Sequence, residues 1–122
     1  MQRNLQTYII DILASIQEIE SFIEGIEDIH AYSEDNKTKR AIERNLEIIG
    51  EAVKSIPESV RQELPEIEWK KVSGLRDVLI HAYFNIEDEI IWGVVKYKLP
   101  QLKYACQTIF DKLLSGEIEN YL

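Results

Sequence analysis

The stretch Leu5-x3-Ile9-x2-Ile12-x3-Ile16-x2-Ile19-x3-Ile23-x2-Ile26 spaces its apolar residues alternately four and three apart. Residues at those separations stack on one side of an α-helix, so the spacing predicts a long helix over residues 4–29. Leu13 and Phe22 widen the stripe, which calls for more than one packing neighbour. A stripe this regular suits an antiparallel bundle or a dimer seam. The other side carries Asp11, Glu18, Glu20, Glu24, Glu27 and Asp28, a solvated acidic face. His30 falls at the end of the predicted helix, where a cation suits the C-terminal dipole. No motif surrounds it.

Outward from this helix the same reasoning continues. Ser33-Glu34-Asp35-Asn36 is a polar turn rich in N-cap residues. A second helix is predicted over 36–56, with Ala41, Ile42, Leu46, Ile49, Ala52, Val53 and Ile56 inward. Gly50 inside it costs up to ~1 kcal/mol relative to alanine, which a close approach of another helix would explain. Pro57 ends the helix, and residues 58–64 form a short helical turn with Val60 and Leu64 inward. Pro65 begins a bend, and Trp69 anchors a third main helix over 69–82 whose Val72, Leu75, Val78 and Leu79 face the core. Residues 83–86 link to a fourth helix from residue 87, with Ile90, Ile91, Val94 and Val95 inward. Pro100 kinks or breaks it near residue 98. Leu102, Ala105, Ile109, Leu113 and Leu114 carry a final segment to Ser115, with Gly116 as its stop. No segment has a strand period. The prediction is an all-α, single-domain chain over residues 1–122. It is an up-down helical bundle of four main helices plus a short connecting helix, its last helix kinked or broken near Pro100.

Composition sets the outer bounds. A chain of 122 residues, 45% hydrophobic and 30% charged, can bury a core and is not disordered. It has no uncharged apolar run of about 18 residues, so no membrane span is expected. Residues 1–7 lack an apolar signal core, which predicts a cytoplasmic protein. The lone Cys106 suits a reducing compartment and reads as a small core residue. The net charge of −8 argues against a general nucleic-acid binder. That acidity is concentrated in residues 1–35, which hold one base against eight acids, whereas residues 36–82 hold nine against eight. A local nucleic-acid contact there is compatible with the total. Lys37, Lys39, Arg40 and Arg44 cluster in the first turns of the second helix, where they oppose its dipole. A solvated patch paired with the acidic first helix accounts for them. So does phosphate contact, for which Lys37, Arg40 and Arg44 are the candidates.

Most chemistries are absent from the sequence. Two histidines 51 positions apart and one cysteine match no zinc spacing. Glu47 and Glu51 are four apart but lack the Glu-x-x-His of a di-iron site. There is no phosphate-binding glycine loop and no nucleophile elbow. No metal and no cofactor are expected. What remains is Gly74-Leu75-Arg76-Asp77-Val78-Leu79-Ile80-His81-Ala82-Tyr83-Phe84. Imidazole moves protons near neutral pH, guanidinium forks onto phosphate, and a phenol can be modified. At about 100° per residue Arg76 and Tyr83 share a face while His81 points away. Either the helix ends near His81 and the chain bends, or a second copy of the motif completes the site. A buried, hydrogen-bonded histidine with a capping arginine accounts for the same residues without any activity.

The run Trp69-Lys70-Lys71-Val72-Ser73-Gly74-Leu75-Arg76-Asp77-x3-His81-x-Tyr83-Phe84-x-Ile86, with Trp92 beyond it, resembles the HepT-like toxins of the HEPN superfamily. Their signature is Arg-x4-His-x-Tyr. Leu46-Glu47-Ile48-Ile49-Gly50-Glu51-Ala52, Pro65-x3-Trp69 and Pro100-x-Leu102 resemble other segments of that family, so the likeness covers about residues 5–115. It implies a HEPN-like fold and a metal-independent ribonuclease toxin, active as a homodimer with both motifs lining one cleft. Arg76 would hold the scissile phosphate and His81 would act as general acid and base. Tyr83 would accept AMP from a partner, a minimal nucleotidyltransferase acting as antitoxin. Family members often carry Asn after the arginine. Asp77 departs from that, as a polar residue in or beside the active site, and a carboxylate there can lower activity. A different reading of the same residues is a non-catalytic helical partner that presents a substrate or nucleotide to a nucleotidyltransferase.

Overall fold

The computed structural model describes residues 4–81 and 88–119. Among them every element is helical: α1 Leu5–Phe22, α2 Ile29–Glu34, α3 Asn36–Lys54, α4 Glu58–Arg61, α5 Trp69–His81, α6 Asp88–Gly93, a π-helical turn Val94–Lys98, and α7 Leu99–Ser115. The four long bodies are α1, α3, α5 and the run from α6 through α7. Helix α1 packs on α3 and on α7, and α3 on α5, while α2 covers α6.

The isoleucine stripe is the centre of the core. Leu5, Ile9, Ile12, Ile16 and Ile19 are buried, facing Ile42, Leu46, Ile49 and Val53 of α3 and Leu102, Cys106 and Ile109 of α7. The long first helix ends earlier than its spacing predicts. It closes at Phe22, and Gly25 takes φ +83°, a left-handed conformation that glycine adopts without penalty. Ile23 and Ile26 still pack on the core from this turn. Asp28 then starts α2, its carboxylate accepting from the Ala31 N–H at 2.8 Å. His30 therefore stands near the start of a short helix, exposed and 3.3 Å from Glu34, and not at the end of a long one. Tyr32 is fully buried beneath Trp92, ring centroids 5.3 Å apart, and burial pushes its hydroxyl pKa up.

Asp35 begins α3, accepting from the Thr38 N–H at 3.0 Å and its hydroxyl at 2.7 Å. Those bonds hold its carboxyl below the usual carboxylate range. At the other end Arg61 caps α3 by donating to the carbonyls of Val53 (2.7 Å) and Ile56 (3.0 Å). Before Pro100 the last body widens into the π turn, where the Leu99 N–H reaches back five residues to the Val94 carbonyl. A wider turn relieves the backbone just ahead of a residue that has no N–H to give. Gly116 ends α7 with φ +82°. Cys106 is buried in α7, and desolvation pushes its thiol up to about 12, so it acts as a small core residue. No described helix is long and apolar enough to cross a membrane.

Candidate functional site

Helix α5 is held at its start by Trp69. The indole is buried and its N–H is shared between the carbonyls of Leu64 (3.0 Å) and Arg61 (3.1 Å). Leu79 is buried and Val72 and Leu75 pack beside the core. Along its length α5 rests chiefly on α3. On its other side, toward the last body, lies a groove of about 280 Å³ between Val72, Leu75, Val94 and Leu102. Glu68 straddles that groove, 2.8 Å from Lys71 and 3.0 Å from Lys98, and both ammonium groups lower its carboxyl pKa.

The contact of α3 with α5 is set by Gly50. A methyl group on Gly50 would lie 3.1 Å from the Val72 carbonyl oxygen and 3.2 Å from the Arg76 amide nitrogen. The two helix backbones thus nearly touch at Arg76, as the glycine inside the second helix suggested. One residue on, Glu51 meets the arginine: its Oε2 lies 3.1 Å from Arg76 Nε. Asp77 Oδ1 is 3.5 Å from Arg76 Nη1. The guanidinium is partly exposed between these two carboxylates. It lines a groove of about 420 Å³ with Tyr8 and Asp11 of α1 and Arg44, Glu47, Ile48, Glu51, Ala52 and Ser55. Arg44 pairs with Glu47 at 3.1 Å.

The sequence-predicted residues thus fall into three groups. Arg76 and Arg44 line the groove, and Asp77 stands beside Arg76 without lining it. Lys37 and Arg40 are exposed on the first turns of α3 and do not line it. His81 is the last residue of α5; its side chain, like Tyr83 and the link over 83–86, lies outside the described residues. The bases of α3 find mixed partners, Lys39 pairing with Asp88 of α6 at 2.9 Å. Glu51 was missed as a site residue. The glycine before it marked a close approach, but the sequence does not say which part of α5 arrives there. Among the described residues no cluster of three His, Cys, Asp or Glu is placed to hold a metal ion.

The described residues thus form a helical bundle that presents a partly exposed arginine at a groove, in a helix whose last residue is His81. Residues 12–109 match the family described as ribonuclease HepT-like, and the chain belongs to that family. It is similar to "Probable ribonuclease HepT" of Thermococcus cleftensis, 43% identical over 105 residues, covering 84% of this chain and 93% of that protein. It is also similar to "Putative RNase MJ1216" of Methanocaldococcus jannaschii, 36% identical over 121 residues and 99% and 98% of the two chains. "Putative RNase MJ0127" of the same organism is 38% identical over 120 residues, 98% of this chain and 97% of that one. No solved structure matches significantly.

Proposed function

We propose that this chain is the toxin of a toxin–antitoxin pair, a metal-independent endoribonuclease that works as a homodimer. The observation that carries this is the partly exposed Arg76 guanidinium at a groove where Gly50 brings α3 and α5 together, with His81 five residues on. In such cleavage the RNA 2′-hydroxyl attacks its own phosphate. A base takes the hydroxyl proton, an acid protonates the departing 5′-oxygen, and a cation stabilises the crowded phosphoryl group. Arg76 is the cation and His81 the proton carrier.

Five residues of α-helix correspond to about 7.5 Å of rise and about 140° of turn, so one α5 does not present both positions on one face. Two copies facing each other supply one imidazole as base and a second as acid. Asp77 tunes the arginine, Arg44 meets RNA in the groove, and Lys37 and Arg40 meet phosphates further out. Tyr83 is the acceptor for AMP from a partner nucleotidyltransferase, and the added charge and bulk repel RNA. A phenol of pKa about 10 is a poor base at neutral pH, so the chemistry does not need it.

The test is RNA cleavage by the purified protein in excess chelator, with product ends read by mass spectrometry. Cleavage should persist and leave a cyclic phosphate; strict dependence on added magnesium refutes the mechanism. A sedimenting monomer with full activity refutes the shared site. Tyr83→Phe should stay toxic yet escape neutralisation by the nucleotidyltransferase with ATP.

A further inference from the structure

We infer that Glu51 is a positioning residue for Arg76, an inference that rests on the ribonuclease reading above. Two long, partly exposed side chains that meet by chance gain little from pairing, because ordering them costs rotamer entropy. Here the backbones beneath them are fixed. Gly50 precedes Glu51, and the space its missing Cβ leaves is closed by the amide nitrogen of Arg76 itself and the carbonyl of Val72. The register of the two side chains is therefore set by helix-to-helix contact.

The closest approach of Glu51 is to Nε, at 3.1 Å. A guanidinium gripped at Nε still offers its far edge, Nη1 and Nη2, as a two-pronged donor to a phosphate. Asp77 approaches that edge at 3.5 Å from Nη1, long for a charge-assisted hydrogen bond, so an arriving phosphate displaces it readily. Glu51 thus fixes the plane of the guanidinium before substrate arrives, which matters for a group acting on a transition state. The opposite role, a carboxylate that competes with phosphate for the arginine, predicts the opposite sign.

The experiment compares wild type, Glu51→Gln and Glu51→Ala, each confirmed folded by circular dichroism, in two measurements. The first is cleavage kinetics on an unstructured fluorescent RNA. Glu51→Ala should lower kcat on the order of tenfold, with KM within about twofold of wild type. Glu51→Gln should recover most of the loss, because its amide oxygen still accepts from Nε. The second is the arginine side-chain 15N spectrum, with the Arg76 Nε–H assigned through Arg76→Lys. That signal should be slow to exchange with water in wild type and Glu51→Gln, and fast in Glu51→Ala. A Glu51→Ala protein with unchanged or raised kcat overturns the inference, as does one with an unaltered Nε–H signal. If wild type cleaves no RNA, the ribonuclease reading falls, and the spectrum alone decides whether Glu51 holds the arginine.

Discussion

Gly50→Ala isolates the contact on which the site is built. In an ordinary helix interior the change stabilises by up to ~1 kcal/mol, through helix propensity alone. At Gly50 the new methyl would sit 3.1 Å from the Val72 oxygen and 3.2 Å from the Arg76 nitrogen. Both are backbone atoms of α5, so no side chain can swing aside and the helix must move by a few tenths of an ångström. Overpacking of that kind costs typically ~1–3 kcal/mol. The net expectation is a loss of up to about 2 kcal/mol, or several degrees in melting temperature for a chain of this size.

Gly74→Ala is the internal control: it sits within α5, and its Cβ would meet nothing within 4 Å. It should stabilise by roughly 0.5–1 kcal/mol. Thermal and urea melts of both variants measure the pair. RNA cleavage is then assayed well below both transitions. Because the clash falls on Arg76, Gly50→Ala should lose several-fold in rate while still fully folded. A Gly50→Ala protein that melts higher than wild type and cleaves normally would refute the close-contact argument.

Other outcomes follow from the same structure. Arg76→Ala and His81→Ala should each abolish growth inhibition while keeping the wild-type circular dichroism spectrum; a folded variant that stays toxic removes that residue from the mechanism. Asp35 has a folded-state pKa below its unfolded value, so its contribution to stability is present above pH about 4 and is lost as pH falls through the folded value. Asp35→Asn should therefore lose less stability than wild type between pH 5 and pH 3 in urea melts. Cys106 should resist alkylation in the native protein at pH 8 and react at once in denaturant, because its thiol is buried and pushed up to about 12. Rapid native labelling would contradict that burial.

The helices that carry most of the core were legible because apolar spacing records burial. That is also why the end of α1 was not. Ile23 and Ile26 keep the four-three rhythm and keep packing, but they do so from a turn that Gly25 opens. Burial persisted where the backbone had already changed. At Pro100 the missing N–H required some adjustment upstream, but a kink, a break and a π turn satisfy that need equally well, and only the packed structure selects the last. Gly50 and Trp69 were readable because each is the wrong residue for its place unless something specific meets it. Glu51 was not readable as a partner of Arg76, because 25 positions of chain separate them and only the docking of α5 on α3 joins them.

That docking has a consequence of its own. Among the described residues α5 packs chiefly on α3, so its docking is expected to open before α1, α3 and α7 part from the isoleucine stripe. Its amides should then exchange hydrogen through a partial opening of lower free energy than global unfolding. Each such opening parts Arg76 from Glu51. The Arg76–Glu51 contact should therefore behave as the closed side of a docking equilibrium, its occupancy fading on warming before the protein itself begins to melt.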